Sequence, residues 1–328
     1  MVSTAAEAIP PRTAVIGAGG WGRNLVHNLH ELGALHAVVD LSPEHRRIAA
    51  TCYPEILVTD EAEAVLADPQ VAAVVIATPV ATHYEVVRQA LEADKDVFVE
   101  KPLTSDRKQA WELVRLAERK GRLLMVGHLL LFQPAIHWLR DFLAAGRIGQ
   151  IQSIHQERLG LGRARGYENA LWCLGTHDVA VQRFLLPNHV PQGMSVQGQC
   201  VLQPAIEDDV YLHLYHDTGL QSHLHCSWLW PQKRRQLVIV GSEGMVEYDE
   251  LRQVITHHHK GIDESLENID RGAEEVFEGH AQPLRLELKH FLDCVRERTP
   301  PASDGHFAAT VVDLLAEATT RLRAAENV

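Results

Sequence analysis

No apolar run in this chain approaches the roughly 20 residues that a membrane-crossing helix needs, so no membrane partner is expected. The start through Pro11 is polar and proline-containing and lacks a secretory pattern, which makes a cytoplasmic location the expectation. Cysteine is also scarce. Cys52, Cys173, Cys200, Cys226 and Cys294 are an odd number without short paired spacing, which suggests reduced thiols rather than a disulfide framework or a zinc knuckle. Basic residues are outnumbered, 31 Lys and Arg against 43 Asp and Glu, for a net charge of -12. A nucleic-acid partner calls for a basic face and is therefore not expected. Hydrophobic residues at 46% and charged residues at 23% are ordinary for a globular enzyme, and 328 residues favour two domains.

Histidine is plentiful, with 20 copies, and His257-His258-His259 stand together. Consecutive strand residues point to alternate faces, so three adjacent imidazoles do not converge on one ion. An exposed strand or loop is the reading there, and no metal site is expected.

The richest segment is Thr13 to Gly22. A short β-branched run, residues 13–16, leads into Gly17, Gly19, Gly20, Trp21 and Gly22. The glycines of a GxGxxG pattern supply a tight turn, close backbone approach and close helix packing for a dinucleotide pyrophosphate. Leu25, Leu29 and Leu32 recur at helical spacing, and Gly33 stands where a left-handed C-terminal cap belongs. The next strand, residues 36–39, ends at Asp40. A carboxylate about 20 residues beyond the glycines is placed to hydrogen-bond the ribose hydroxyls and to repel a 2′-phosphate, so NAD is favoured over NADP. Ser42, Arg46 and Arg47 follow, and the arginines read as the solvated face of the next helix.

Strand and helix signals then alternate to about residue 127. Residues 72–77 form a strand ending in Thr78-Pro79, 83–93 a helix, and 97–99 a strand ending at Glu100-Lys101-Pro102. Ser105 is the expected cap of a helix carrying Ala110, Leu113, Val114 and Ala117, which Gly121 stops before a strand at 123–126. The pattern predicts a doubly wound parallel sheet, an α/β Rossmann domain over residues 1–127. Beyond it the period changes: Val210, Leu212 and Leu214 alternate with polar and aromatic residues, Asp217-Thr218-Gly219 turns, and alternation resumes from Leu220 to Trp228. Residues 236–240 and 245–248 repeat the hairpin pattern, and amphipathic helices close the chain. Residues 128–328 are thus expected to form an α+β domain with a large, mostly antiparallel sheet.

The order GxGxxG, Thr78-Pro79 with His83, Glu100-Lys101-Pro102, Gly127-His128 and Gly175-x-His177-Asp178 resembles the Gfo/Idh/MocA oxidoreductases along essentially the whole chain. Three further stretches are similar to the UDP-N-acetylglucosaminuronate 3-dehydrogenases and related nucleotide-sugar 3-dehydrogenases: residues 20–26, residues 168–172, and Ser227-Trp228-Leu229 with Lys233 leading into 238–241. The resemblance implies NAD-dependent oxidation of a sugar ring hydroxyl at carbon 3, and a homo-oligomer, dimer or tetramer, built on the open sheet face. It also implies that Thr78, Pro79, His83, Glu100 and Lys101 border the cofactor.

Such chemistry needs a hydride acceptor, a base for the alcohol proton, and a donor to hold the oxygen as it becomes a carbonyl. Lys101 lies beyond the C-terminal end of a parallel strand, where its ammonium can stabilise charge on that oxygen. His177 is the candidate base, because imidazole titrates near neutral pH. Many family members carry an aspartate four residues earlier, where this chain has Cys173; the nucleotide-sugar members tend to have serine. Without that carboxylate His177 more readily stays neutral. Thr176 is a second departure, since proline or alanine is common there. Arg158, Arg163, Arg165, Tyr167, Asn169, Trp172, Cys173 and Lys233 surround these motifs as candidate substrate contacts, cations there suiting a diphosphate or uronate. Trp21 and His128 are candidates to line the nicotinamide side, His128 also toward the substrate, with packing at the domain junction as the equal alternative. Other substrates for the same chemistry are an inositol, a deoxysugar nucleotide or an aminoglycoside ring. A non-catalytic NAD-binding sensor or co-regulator is the reading of another class, and the presence of both Lys101 and His177 speaks against it.

Overall fold

The computed structural model describes residues 9–325. The chain forms two compact units. One runs through His128 and takes in Leu284–Val312; the other holds Leu129–Pro283 and the chain from Asp313. The sequence reading assigned everything after residue 127 to the second domain, whereas the structure packs the 284–312 segment with the first.

In the first unit six strands, β1 (Thr13–Ile16), β2 (Leu35–Val39), β3 (Leu57–Thr59), β4 (Ala73–Ile76), β5 (Asp96–Glu100) and β6 (Leu124–Gly127), form a parallel sheet. Their order is β3-β2-β1-β4-β5-β6. The direction of winding reverses between β1 and β4, and ligands of open α/β sheets bind at that switch point, beyond the carboxyl ends of the strands. β1 and β4 are buried throughout, as their unbroken apolar runs require for a sheet covered on both faces. Helix α1 (Gly22–Glu31) buries Leu25, Val26 and Leu29, and Gly33 beyond its end has φ 67°. The remaining helices through residue 120 are α2 (Pro43–Cys52), α3 (Ala62–Ala67), α4 (Val80–Glu92) and α5 (Arg107–Lys120). The cap of α5 is Asp106, whose carboxylate accepts from the Gln109 amide at 2.9 Å; Ser105, the expected cap, lies one residue too early. Gly121 ends α5 with φ 60° as expected.

Helix α8 (Pro283–Glu297) lays Phe291 against Phe98 of β5, ring centroids 5.7 Å apart. Arg298 holds the Asp96 carboxylate at 2.5 Å, and Ser303 hydroxyl donates to the Val126 carbonyl at 2.7 Å. These bonds attach the late segment to β5 and β6.

The second unit is built on an eight-stranded sheet of β7 (Ile151–Leu159), β8 (Pro191–Gln199), β9 (Asp209–His216), β10 (Gln221–Ser227), β11 (Arg234–Gly241), β12 (Met245–Asp249), β13 (Val254–Ile262) and β14 (Asn268–Glu278). The order is β14-β13-β12-β11-β7-β10-β9-β8, antiparallel except where β7 runs parallel to β10. One face carries α6 (Pro134–Ala144) and α7 (Thr176–Leu185). Gln182 of α7 donates to Gln156 of β7 at 2.6 Å, and Phe142 of α6 meets His257 of β13 edge-on. The other face holds a concavity lined by His155, Tyr211, His213, His223, His225 and Trp230. α9 (Gly305–Ala325) is the last helix. No helix among the described residues is long and apolar enough to cross a membrane.

Candidate active site

The loop after β1 fits a dinucleotide by exclusion of side chains. A Cβ on Gly22 would stand 1.9 Å from the Gly17 carbonyl oxygen, so α1 can start this close to the turn only as glycine. Gly17 has φ 96°, and a Cβ there would meet the Ala77 carbonyl at 2.8 Å. Gly20, by contrast, faces open space. This is the cradle that a pyrophosphate needs, with α1 presenting its N-terminus. Asp40 stands at the end of β2. Its carboxylate accepts from the Ala18 amide at 2.6 Å and the Ser42 amide at 2.7 Å, and the His45 Nδ1 lies 3.2 Å away. The acid is thereby fixed beside the glycine loop. His45 was not singled out in the sequence; Asp40 and Gly19 bring it there, since its ring lies 3.5 Å from where a Gly19 Cβ would be. Arg46 does not lie on a solvated face as expected. It bonds the carbonyls of Asp40 and Leu41 and pairs with Asp60 at 2.9 Å, while Arg47 is exposed.

A second cluster forms beyond β5 and β6. Trp21 Nε1 donates to Glu100 Oε1 at 2.5 Å, and the Lys101 amide donates to the other carboxylate oxygen at 3.3 Å. Burial pushes the Glu100 carboxyl up to about 7, against the opposing pull of the indole and of Lys101. His128 is 2% exposed, its ring edge-on to Phe307 and its Nδ1 without a hydrogen-bond partner. Burial, and secondarily the Lys101 charge, push it down to about 3, so it is a neutral imidazole beside a cation. His83 does not point its ring nitrogens at open space. They lie 2.9 Å from the Pro102 and Thr78 carbonyls, so this 1% exposed side chain ties the loop after β4 to the loop carrying Lys101. It positions both rather than offering a free donor. Thr78 accepts from Thr82 at 2.8 Å, and Pro79 is exposed at the start of α4.

The second unit sorts the proposed substrate contacts into two groups. Arg158 is 6% exposed and fully engaged, with Nε and Nη2 on Asp178 at 2.8 and 2.9 Å and Nη2 on Glu250 at 2.7 Å. It is a buried charge joining β7, α7 and the segment just after β12, with its guanidinium committed to two carboxylates. Burial pushes Asp178 up, but its bidentate bond keeps Arg158 protonated and the pair ionic. Asn169 caps the turn before α7, accepting from the Trp172 amide at 3.0 Å while donating to Glu207 at 2.7 Å. Trp172 is 9% exposed, with its indole bonded to Thr319 at 2.8 Å. Both side chains are built into the packing, the Asn169 amide and the Trp172 indole each being bonded to protein groups.

Arg163, Tyr167 and Lys233 are exposed, and Gly160 lies against Lys233, its Cβ position 3.3 Å from the Lys233 Cα. Arg165 faces Cys173 within hydrogen-bonding reach; burial opposes its charge, and Cys173, Tyr167 and Glu168 together more than offset that and raise its pKa. Residues Leu171–Gly175 wind as a π-helix before α7 begins at Thr176, so Cys173 and His177 straddle a change of helical pitch rather than a regular α turn. Single π turns interrupting helices are frequent at functional sites. Thr176 is buried and donates to the Trp172 carbonyl at 2.5 Å, which fixes the pitch change.

Residues 11–128 match the family model described as the oxidoreductase family with an NAD-binding Rossmann fold, and residues 136–247 match that of the GFO/IDH/MocA C-terminal domain. The chain belongs to the Gfo/Idh/MocA family. It is an NAD-binding oxidoreductase of that family. The UDP-N-acetylglucosamine 3-dehydrogenase of Acidithiobacillus ferrooxidans is 26% identical over 301 residues, covering 90% of this chain and 91% of that one. Its solved structure superposes with a TM-score of 0.84 at 24% identity, over 95% and 98% of the two chains. An inositol 2-dehydrogenase of Mycolicibacterium smegmatis is 35% identical over 186 residues, 55% of this chain and 54% of that one. GenD2 from gentamicin A biosynthesis, solved with NAD, shares the fold at a TM-score of 0.82 and 23% identity, over 97% and 96% of the chains.

Within this Gfo/Idh/MocA chain, three acidic groups had no role assigned from the sequence, although Asp178 was read as part of the Gly175-x-His177-Asp178 motif. Asp178 and Glu250 complete the Arg158 network, and Glu287 of α8 is wholly buried with both carboxyl oxygens unpartnered. Burial, and then the nearby Glu100 charge, push Glu287 well above the ordinary carboxylate range. An α-helical glutamate inside an apolar stripe was the available signal, since Leu284, Leu288 and Phe291 mark that face.

Proposed function

We propose that this oxidoreductase oxidises a ring hydroxyl of a sugar or nucleotide sugar, at carbon 3, to a ketone. The observation that carries the reading is the cluster of Lys101 with neutral His128 and the Trp21-anchored Glu100 at the carboxyl ends of β5 and β6. NAD, held by the glycine loop and Asp40, supplies the hydride acceptor. Lys101 holds the reacting oxygen, and its ammonium stabilises charge building there as the proton leaves. His128, buried and uncharged, adds no competing cation beside it. His177 accepts the hydroxyl proton, which an imidazole does near neutral pH. Glu100 compensates the Lys101 charge when ionised and keeps the indole of Trp21 at the cradle. The exposed Arg163 and Lys233, with the partly buried Arg165, suit an anionic portion of the substrate, a diphosphate or a uronate carboxylate.

The carbon 3 assignment rests on the similarity to a UDP-N-acetylglucosamine 3-dehydrogenase. An aminoglycoside ring is the second reading, favoured by the likeness to GenD2. The test is NADH formation by the purified chain with NAD and a panel of UDP-amino sugars, UDP-uronates, inositols and aminoglycoside precursors. Reduction of NAD by a nucleotide sugar, with the ketone at carbon 3 of the product, is the expected result. Turnover of inositols alone would replace the substrate assignment, and no reduction with any of them would remove it.

A further inference from the structure

We propose that His257, His259 and Glu274 form a site for one divalent transition-metal ion of the zinc class, with three protein ligands and the fourth position left to water. Along β13, strand alternation separates His258 from its two neighbours. It leaves His257 and His259 on one face of β13, and it says nothing about the next strand. There Glu274 is the register partner of His257, directly opposite on β14, so the carboxylate joins the same face. One ligand atom from each of the three residues falls within 4.8 Å of the others.

The local backbone places them together. β14 carries an extra residue on either side of the His257–Glu274 pair, where the register shifts between Ile255 and Thr256 and again between His258 and Lys260. Bulges increase local twist and re-aim side chains. The imidazoles of His257 and His259 end with centroids 4.1 Å apart, and His259 Nε2 lies 3.1 Å from Glu274 Oε1. Tetrahedral zinc, with bonds of about 2.0–2.2 Å to nitrogen and oxygen, places its ligand atoms roughly 3.3–3.5 Å apart. The His259–Glu274 separation is already close to that, and a modest side-chain rotation brings in the third.

The donor set of two imidazoles and a carboxylate suits zinc, cobalt or nickel better than magnesium or calcium, which take oxygen ligands. An ion pair between His259 and Glu274 explains only part of the cluster. It is an exposed pair, of a kind that contributes little, and it leaves His257 unaccounted for. His257 is 7% exposed, rests edge-on against Phe142 of α6, and has an Nε2 that no protein group bonds. A bound ion would clamp the edge hairpin of the sheet, β13 to β14, from one face.

The test is calorimetric titration of Zn2+ into the untagged, chelator-treated full chain, with Co2+ absorption as a second readout. One equivalent should bind, Co2+ should give the intense visible bands of a four-coordinate site, and Zn2+ should raise Tm. His259→Asn and Glu274→Gln, both at exposed side chains, should each weaken binding about ten-fold or more, and His257→Ala likewise. His223→Ala, in the separate histidine group of β9 and β10, should leave it unchanged. Absence of a stoichiometric site, a six-coordinate Co2+ spectrum, or binding lost in His223→Ala and retained in His259→Asn would each overturn the assignment.

Discussion

Trp21 and Glu100, 79 positions apart in sequence, are joined by an indole-to-carboxylate hydrogen bond of 2.5 Å that connects the glycine loop to the segment carrying Lys101. Because Glu100 is raised to about 7 from an ordinary 4.5, the folded protein holds a proton there that the unfolded chain has released. Stability linked to this group is present below about pH 4.5 and declines as pH rises toward 7. Trp21→Phe removes a donor that favours the charged form. Its Tm is expected to fall below that of the parent by more at pH 8 than at pH 5, corresponding to about 1 kcal/mol. A deficit independent of pH would show that the indole acts by packing alone.

Glu287 has the same sign and no partner to offset it. Glu287→Met replaces a buried acid by an apolar side chain of similar length, which often stabilises. Thermal melts should show a gain at pH 8 that shrinks toward pH 5. Loss of stability at pH 8 would mean that the carboxylate has a role in the fold.

In the proposed reading Asp40, held beside the glycine loop by its bond from the Ala18 amide, sets the cofactor preference through its charge. Calorimetry should find NAD bound far more tightly than NADP. Asp40→Ser is expected to narrow the gap by about ten-fold or more, while Asp40→Asn keeps an acceptor and isolates the contribution of charge. Equal affinities in the parent protein contradict the assignment.

Arg158 gives a prediction opposite to that of a substrate contact. Arg158→Met leaves Asp178 and Glu250 buried without their cation, and urea unfolding should register a loss of about 3–5 kcal/mol. Arg163→Ala, at an exposed position, should stay within about 0.5 kcal/mol of the parent and raise KM for an anionic substrate. A stable Arg158→Met with only a KM defect would restore Arg158 to the substrate.

The contact between Arg165 and Cys173 alters what an aspartate at 173 would do. A carboxylate there favours imidazolium at His177 and moves the rise of the oxidation rate to higher pH, but Arg165 would neutralise part of it. Cys173→Asp should therefore shift the pH-rate profile less than Cys173→Asp combined with Arg165→Gln, and Cys173→Ser should not shift it. Identical profiles in all of these, with hydride transfer rate-limiting, would mean that His177 is not the titrating base.

What was legible follows from how strongly burial marks a segment. The parallel strands β1, β4, β5 and β6 are fully or almost fully buried, so their apolar runs gave the first sheet within a residue or two. In β9, burial of Val210, Leu212 and Leu214 made alternation visible. β14 is mostly exposed and polar, and β8 carries two glycines and no fully buried residue, so neither left a pattern to read. β7 hides behind buried Gln156 and Arg158, polar residues that only α7 and Glu250 make tolerable. For the site, motif residues such as Gly17, Gly22, Asp40 and Lys101 were readable because backbone approach and strand ends constrain them. The division of Arg158, Asn169 and Trp172 from the exposed Arg163 and Lys233 was not, since it depends on partners 20 to 147 positions distant.

The most direct test is the rate of hydride transfer in a single turnover, followed as NADH appears when excess enzyme with NAD meets the sugar identified from the panel. Lys101→Ala and His177→Ala should each slow this step by about two orders of magnitude or more, with NAD affinity kept, because the glycine loop and Asp40 hold the cofactor. Near-normal transfer in either variant would contradict the role given to that residue, and near-normal transfer in both would contradict the mechanism.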